Sequence, residues 1–264
     1  MRSLSNWLFR RANRAARPYL KTYGLLQTVK IFNRSALVWE PAAEKVLVLA
    51  PHMDDEVIGC GGTLAKHTAR GASVTVVFLT DSATDASASP GEQAAAISAT
   101  RTQEARDALA VLRVQRSEFL GAKDGSLAST PELVQKLRTI LTSDRFDLVY
   151  LPFFLEEHPD HRAASQLLLD ATRDLVSPMR CLGYEVWTPL FPNCLVNIDA
   201  TMPVKRQALE QYRSQLAGID YTHTQFGLNA YRSAAFLGGT CRYAEAFCAL
   251  SLPEYRDMHR AYLT

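Results

Sequence analysis

The sequence predicts an α/β protein, a three-layer α/β/α sandwich with a mostly parallel sheet, and three observations support this fold class. From Lys45 onward, short apolar runs rich in β-branched residues alternate with longer stretches of helical spacing, as in consecutive β-α-β units. Two segments rich in acids and histidines each follow an apolar run, where ligands gather in open α/β sheets. With 264 residues, 47% of them hydrophobic, the chain can bury one sizeable core.

Six apolar runs predict the strands. In chain order they occupy residues 45–50, 73–80, 118–120, 147–151, 181–187 and 195–198. The fifth run contains Tyr184 and Trp187, and we expect these aromatic side chains in the core rather than on a sugar-binding surface. The two acidic segments follow the first and fourth strands, so neighbouring strands would bring them together.

Between the strands, apolar residues spaced three and four positions apart predict five helices. They occupy residues 61–70, 92–112, 131–143, 161–175 and 203–217, and Gly71 closes the first of them. Gly59, Gly61 and Gly62 suit a tight turn from the first strand into its helix, but their spacing does not match the dinucleotide-binding fingerprint. This order of elements is that of a Rossmann-like sandwich.

Composition indicates one domain at residues 41–264, preceded by a basic segment at 1–40, because no glycine/serine linker divides the chain. Five cysteines without a Cys-x-x-Cys pair indicate neither a disulfide framework nor a thiolate metal site. A reducing, cytoplasmic location suits them best. No apolar run reaches the roughly 18 residues of a membrane-spanning helix, and no signal peptide is recognised, so we expect no export.

The net charge of +2 conceals an asymmetry. Residues 1–39 contain eight of the 29 basic side chains and none of the 27 acidic ones, which leaves the remainder at −6. With Trp7, Leu8 and Phe9 interspersed, this segment could lie on the anionic inner face of a membrane. The alternatives, a helix docked on the acidic body or a mobile tail, are the more common outcome. We expect no nucleic-acid partner.

The two acidic segments, residues 51–56 (PHMDDE) and 158–161 (HPDH), contain three of the six histidines. A catalytic zinc ion is usually held by three imidazole or carboxylate ligands, and its remaining position is left for water. His52, Asp55 and His161 could supply that set. The water still needs a base to take its proton as it attacks, and Asp54 could be that base. A metal-assisted hydrolase is therefore the first hypothesis.

Both segments also carry a family resemblance. Residues 50–56 (APHMDDE) resemble the A-H-P-D-D-E segment of the LmbE-like (PIG-L) metal-dependent N-deacetylases, and residues 158–161 resemble their second signature, H-P-D-H. Asp81, Arg101 and Asp124 stand at further matching positions, so the resemblance covers roughly residues 45 to 165. The first 40 residues lie outside it.

The resemblance implies a Zn²⁺ site made by His52, Asp55 and His161, with Asp54 as the general base. It also implies that His158 stabilises the oxyanion and helps to protonate the leaving amine. Fe²⁺ or Mn²⁺ could occupy the same nitrogen and oxygen donors.

The resemblance further implies that the substrate is an N-acetylated amino sugar, such as the N-acetylglucosamine unit of a glycan, a glycolipid or a metabolite. Arg101 and Asp124 could hold sugar hydroxyls, and Arg232 is a further candidate at the far rim. Asp160 lies between the two histidines of the second segment and would orient one imidazole from behind.

The sequence departs from the family pattern at two positions. Met53 replaces a proline between the histidine and the aspartates, which leaves the ligand spacing unchanged. Glu156 stands two residues before His158, where some relatives carry a tyrosine. A phenol could steady an oxyanion and a carboxylate could not, so we assign that role to His158 or to a group elsewhere in the chain.

Two alternatives stay open. The same metal chemistry permits an amidase that acts on a larger acyl group or on a thiol-sugar conjugate, and a screen of acyl-chain length would separate the two. A non-catalytic sugar-binding protein could retain the fold, although Asp54 and the complete ligand set argue against it. His67, His223 and His259 have no partner at ligand spacing, and we expect them at the surface.

Deleting residues 1–39 tests the membrane hypothesis for the basic segment. The full chain should bind vesicles that contain anionic lipid, and this binding should weaken as salt screens the eight basic side chains. The truncated chain should not bind, as measured by vesicle sedimentation. Equal binding by both forms would mean that the segment does not hold the protein at a membrane.

Overall fold

The computed structural model describes residues 37–42, 44–83 and 92–263. Their strands are β1 (Leu37–Val38), β2 (Lys45–Ala50), β3 (Ser73–Thr80), β4 (Arg116–Ala122), β5 (Leu148–Pro152), β6 (Arg180–Tyr184), β7 (Cys194–Asn197) and β8 (Ala244–Ser251). Their helices are α1 (Asp55–Ala69), α2 (Glu92–Val111), α3 (Pro131–Ser143), α4 (Pro159–Ala171), α5 (Met202–Leu209), α6 (Arg213–Leu216), α7 (Tyr221–Leu237) and α8 (Leu252–Leu263).

Most of the basic segment at 1–40 lies outside the described residues. The division at residue 40 and the membrane hypothesis therefore stay predictions. Within the described ranges, no helix has an apolar stretch long enough to cross a bilayer.

The strands form one sheet in the order β1-β7-β8-β6-β5-β2-β3-β4. β8 runs antiparallel to β6 and β7, and every other neighbouring pair is parallel. Along β2, Val46 and Val48 pack on one face with α1, α2 and α5, whereas Leu47 and Leu49 pack on the other with α3, α4 and α8. Burial of both faces explains why the strand is apolar at successive positions. The predicted three-layer sandwich is confirmed.

Several elements differ from the sequence prediction. β1, β8, α7 and α8 have no predicted counterpart, α1 begins at Asp55 rather than at residue 61, and α4 spans Pro159–Ala171 rather than 161–175. The predicted helix at 203–217 is divided into α5 and α6. β6 ends at Tyr184 instead of residue 187, because the backbone N–H groups of residues 186–188 donate to the carboxylate of Glu156 rather than to a strand.

Helix α1 is broken at Cys60, and the part before the break carries residues of the first acidic segment. Cys60 has non-helical backbone angles (φ −146°, ψ 16°), so the backbone groups around it need partners outside the helix. Glu245 on β8 supplies acceptors: its carboxylate receives the backbone N–H of Gly62 at 2.9 Å and that of Thr63 at 2.7 Å. The carboxylate thus caps the second half of α1.

Lys205 on α5 completes this junction. Its Nζ donates to the carbonyl oxygen of Ile58 at 2.9 Å and to Glu245 Oε1 at 2.7 Å, and both charged side chains are 1% exposed. Lys205 therefore caps the first half of α1 while Glu245 caps the second. This buried ion pair fixes the first turn of α1, which carries Asp55.

The second half of α1 holds the segment that precedes β2. His67 is buried rather than exposed as expected, with Nδ1 3.0 Å from the carbonyl oxygen of Ala42 and Nε2 3.0 Å from the hydroxyl of Tyr150. His259 is also buried, and of the three histidines outside the acidic segments His223 is the exposed one. Periodicity could not reveal these positions, because the partners of His67 lie on other elements.

Replacing Lys205 with methionine should destabilise the fold, because Glu245 would keep a buried negative charge without its partner. The expected loss is about 3–5 kcal/mol, the usual result of breaking a buried ion pair. Lys136→Met removes the exposed partner of Glu132 and should leave the denaturation midpoint unchanged. Urea unfolding measures both variants, and equal midpoints would contradict the role given to Lys205.

Candidate metal centre

Strands β2 and β5 bring the two acidic segments together. They are adjacent and parallel, with Val46 paired to Leu148 and Val48 to Tyr150, so the loops that follow them leave the sheet at the same edge. β3 and β4 extend the sheet on one side of β2 and β5 lies on the other, which places the segments at a switch in strand order. The prediction that neighbouring strands unite the segments is confirmed.

Three side-chain atoms converge at this edge. His52 Nδ1 lies 3.3 Å from Asp55 Oδ2, His161 Nε2 lies 3.3 Å from the same oxygen, and the two nitrogens are 3.3 Å apart. A tetrahedral zinc ion about 2.0–2.1 Å from its nitrogen and oxygen ligands would hold them about 3.3–3.4 Å apart. The spacing of this triangle of donor atoms therefore fits a divalent metal.

Carboxylates behind His52 determine which of its nitrogens carries the proton. Nε2 lies 3.2 Å from Asp160 Oδ2 and 3.2 Å from Asp124 Oδ1, so a proton on Nε2 serves both acceptors. Asp160 also accepts the backbone N–H groups of Gly125 at 2.8 Å and Leu127 at 3.0 Å, which fixes the loop that carries Asp124. The Nδ1 lone pair is then left for a metal, as the predicted positioning role of Asp160 requires.

A buried carboxylate also faces the ring of His161, on the side away from the triangle. Its Nδ1 lies 3.6 Å from Oε2 of Glu156, and both side chains are buried. Among the described residues, no group hydrogen-bonds this nitrogen, so the carboxylate is the acid that faces it. A proton on Nδ1 leaves the Nε2 lone pair directed at the triangle. A cation bound by the three atoms would take the place of the imidazole protons that otherwise lie between them.

The charges around the triangle favour the same conclusion. Burial alone would lower the pKa of His52, but hydrogen bonds with Asp124 and neighbouring carboxylates raise it well above its usual value. Burial also opposes charge on His161, yet Asp55 and Glu156 raise its pKa to about 9. Despite its burial, Asp55 has a pKa well below the usual range because both imidazoles face it. This edge of the sheet demands positive charge, which a divalent ion supplies.

Two other groups of donors share these residues. Donor atoms of His52, His158 and His161 lie within 4.8 Å of one another, and so do those of His52, Asp124 and Asp160. The carboxylate of Asp160 is already engaged by backbone N–H groups and by His52. His158 Nδ1 likewise accepts the backbone N–H of Asp160 at 3.2 Å. Asp55 Oδ2 also accepts a backbone N–H, that of His52 at 2.8 Å, so the choice rests on spacing: the 3.3 Å triangle is the best-formed candidate site.

Asp54 immediately precedes α1 and has a strained backbone, with φ 145° and ψ −26°. Its side chain borders the same cavity as His52 and Asp55. Burial and the Asp55 carboxylate raise the pKa of Asp54 well above its usual value, and the nearby Arg101 opposes that rise. A carboxylate with a raised pKa is suited to accept a proton from water.

His158 provides a hydrogen-bond donor beside the triangle. Because its Nδ1 accepts the backbone N–H of Asp160, the neutral ring carries its proton on Nε2. Burial, together with His52 and His161, lowers the pKa of His158 and so favours the neutral ring. A neutral imidazole with a proton on Nε2 can donate to a carbonyl oxygen as negative charge develops there.

A cavity of about 260 Å³ joins these groups. Arg101 and Asp124, both predicted to contact substrate, form part of its polar side. Arg101 Nη1 donates to the carbonyl oxygen of Ser82 at 2.6 Å, which anchors the side chain at the cavity rim. The structure therefore brings two of the three predicted substrate contacts to the cavity.

The apolar side of the cavity was not expected. Val186, Trp187 and Tyr221 line it, and the rings of Trp187 and Tyr221 meet edge to face with centroids 5.9 Å apart. The expectation that Tyr184 and Trp187 both lie in the core is correct for Tyr184 and wrong for Trp187, which is 46% exposed. Trp187 follows the end of β6, so the alternation of a strand does not decide where its side chain lies.

Arg232 is not brought to the cavity. Its Nε donates to Glu185 Oε1 at 2.9 Å and its Nη2 donates to the carbonyl oxygen of Leu190 at 2.9 Å, in a buried ion pair. Within the described residues, the cavity lining does not include it. A buried carboxylate at Glu185 needs a cationic partner, and this requirement places Arg232 at the base of the loop rather than at the predicted rim.

Known proteins resemble this chain in sequence and in structure. Residues 47–172 match the PIG-L family, described as GlcNAc-PI de-N-acetylase. Diacetylchitobiose deacetylase from Thermococcus kodakarensis is 30% identical over 191 residues, which are 65% of this chain and 70% of the relative.

Two solved structures share the fold over most of their length. N,N'-diacetylchitobiose deacetylase from Pyrococcus horikoshii has a TM-score of 0.68 at 25% sequence identity, and the match covers 88% of this chain and 93% of the deacetylase chain. The conserved protein TT1542 from Thermus thermophilus has a TM-score of 0.66 at 32% sequence identity, and the match covers 77% of this chain and 93% of the TT1542 chain.

The protein should bind one zinc ion per chain through the triangle. His161→Ala and Asp55→Ala each remove one donor atom and should lower the bound zinc well below one equivalent, because a three-ligand site loses affinity with each ligand. His223→Ala, which removes an exposed histidine, should retain one equivalent. Equilibrium dialysis with elemental analysis measures this ratio. Retention of zinc by the first two variants would exclude the triangle as the site.

Proposed function

The chain belongs to the PIG-L (LmbE-like) family, and on that basis we propose that it is a metal-dependent hydrolase that deacetylates an N-acetylated amino sugar. The observation that carries the proposal is the convergence of His52 Nδ1, Asp55 Oδ2 and His161 Nε2 at mutual distances of 3.3 Å. The names of the related proteins support the reaction type, since the Thermococcus and Pyrococcus relatives are deacetylases of an acetylated disaccharide.

His52, Asp55 and His161 would hold the metal, and the donor set suits Zn²⁺, with Fe²⁺ or Mn²⁺ as alternatives. A divalent ion held there would supply Lewis acidity, which lowers the pKa of water from about 15.7 to about 7 and polarises a carbonyl group. The side chains around the metal would then have to position the acetyl group, accept a proton from water and return a proton to the departing nitrogen.

Asp54 would accept the proton of the attacking water. Its position beside the triangle and its raised pKa suit a general base, and its strained backbone keeps the carboxylate on the cavity side of α1. His158 would donate from Nε2 to the carbonyl oxygen, and the proton held by Asp54 would pass, directly or through His158, to the departing nitrogen. The proton taken from water balances the one that the amine receives.

The two sides of the cavity would hold the sugar. Arg101 and Asp124 offer a charged donor and an acceptor for hydroxyl groups, whereas Trp187 and Tyr221 offer aromatic surface to the apolar face of a sugar ring. At about 260 Å³ the cavity lies just below the roughly 300–1,000 Å³ usual for ligand pockets. This size suits one sugar unit, with the rest of the molecule outside.

The alternatives separate by simple assays. An amidase for a larger acyl group or a thiol-sugar conjugate would prefer longer acyl chains over acetyl in a chain-length series. A non-catalytic sugar-binding protein would bind N-acetylglucosamine without releasing acetate.

Asp54→Asn should abolish most of the acetate release from N-acetylglucosamine and its glycosides while zinc binding stays at one equivalent. Loss of a general base costs typically about 10²–10⁴-fold in rate, and the effect should appear in kcat. Asp107→Asn, on the exposed face of α2, is the matched control and should turn over normally. Full activity in Asp54→Asn would remove this residue from the mechanism, and the absence of turnover by the wild-type protein on every acetylated sugar would contradict the proposed reaction.

A further inference from the structure

Glu156 occupies the position at which some relatives carry a tyrosine, and its carboxylate faces two different parts of the site. The residue lies in the loop between β5 and α4 and is 1% exposed. A buried carboxylate is retained only where hydrogen bonds or opposite charge compensate its burial. The partners of Glu156 therefore indicate what it does.

One set of partners is the backbone that carries Trp187. Glu156 Oε1 accepts the N–H of Val186 at 2.6 Å, of Trp187 at 3.1 Å and of Thr188 at 3.1 Å. The Trp187 N–H is shared with Oε2, also at 3.1 Å. Three consecutive N–H groups around one oxygen form a rigid turn in place of further strand. Thr188 Oγ1 also accepts the backbone N–H of Glu157 at 2.9 Å, so the two loops are joined twice.

The other partner is the metal-ligand candidate His161. Glu156 Oε2 faces Nδ1 of this imidazole at 3.6 Å, with both side chains buried. The ring thus presents Nδ1 to the carboxylate of Glu156 and Nε2 to the triangle, the arrangement of a metal-ligating histidine backed by a carboxylate. The Glu156 carboxylate thus faces a candidate metal ligand and also binds the backbone of Trp187, which lines the apolar side of the cavity.

A separate set of contacts joins the two ends of the loop at residues 185–190, whose middle is bound by Glu156. Glu185 Oε2 accepts the backbone N–H of Leu190 at 2.9 Å, and Arg232 bridges the Glu185 carboxylate and the Leu190 carbonyl oxygen. The loop at 185–190 is therefore tied at its ends by Arg232 and in its middle by Glu156. Trp187 is presented by a fixed backbone.

We propose that Glu156 is a positioning residue that couples the metal site to the apolar side of the cavity. Its Oε2 faces His161, and its carboxylate, chiefly through Oε1, holds the backbone N–H groups of residues 186–188. It does not replace the missing phenol chemically. The effect expected on turnover rests on the proposed function, whereas the effects expected on metal affinity and on backbone exchange do not.

Glutamine and alanine at position 156 separate the two contacts. In Glu156→Gln the amide oxygen can still accept the three N–H groups, but an NH₂ group then faces His161 Nδ1 and opposes the proton there. In Glu156→Ala both contacts are lost. Glu157→Gln alters an exposed carboxyl group one residue away and serves as the matched control.

The experiment measures Zn²⁺ affinity by competition with a chromogenic chelator and hydrogen exchange of the peptide that contains residues 186–188. Glu156→Gln should bind Zn²⁺ about 10–100-fold more weakly, the usual effect of removing a partner of a metal-ligating histidine, with exchange unchanged. Glu156→Ala should lose Zn²⁺ affinity and also exchange faster at 186–188. With saturating zinc, KM for N-acetylglucosamine should rise in Glu156→Ala and stay unchanged in Glu156→Gln. Glu157→Gln should match the wild type throughout.

Wild-type Zn²⁺ affinity in Glu156→Gln would overturn the inference, whether or not Glu156→Ala folds. Unchanged hydrogen exchange at residues 186–188 in a folded Glu156→Ala variant would overturn the part of the inference in which Glu156 holds the Trp187 backbone. If the wild-type protein released no acetate from N-acetylglucosamine while the zinc and exchange results followed expectation, the proposed substrate would be wrong and the role of Glu156 would stand.

Discussion

The arrangement of the site depends on the concentration of negative charge at one buried edge of the sheet. Asp54, Asp55, Asp124 and Asp160 all lie around His52, and each is at most about a tenth exposed. Protons on the imidazoles could compensate part of this charge, but they would then occupy the space between three atoms only 3.3 Å apart. A divalent cation would compensate the charge and accept all three lone pairs, which is why we propose it as the organising element of the site.

Each member of the triangle is held from behind by a different part of the fold. The carboxylates of Asp124 and Asp160 hold the ring of His52, the carboxylate of Glu156 faces that of His161, and Asp55 lies in the first turn of α1. That turn is in turn secured by the buried Lys205–Glu245 pair at the break in the helix. Donors supported in this way stay close to their bound geometry, so little reorganisation is needed when a metal binds.

The sequence revealed the parts of this structure whose causes are local. Strands β2, β3 and β5 are mostly apolar, and the acids and histidines follow two of them, so fold class and site could be predicted together. Strand β8 was not predicted because its apolar run at 246–250 contains no β-branched residue, and it begins beside Glu245, which only Lys205 from another element makes acceptable in the core. Arg232 and Trp187 were misplaced for the same reason, since the carboxylates of Glu185 and Glu156 that position them act across sequence separations that periodicity cannot register.

Anomalous diffraction from crystals of the zinc-loaded protein locates the metal. We expect one zinc peak among His52 Nδ1, Asp55 Oδ2 and His161 Nε2, at about 2.0–2.1 Å from each atom. A peak on the opposite side of the His52 ring, between Asp124 and Asp160, would contradict this expectation. So would the absence of any zinc peak at this edge of the sheet.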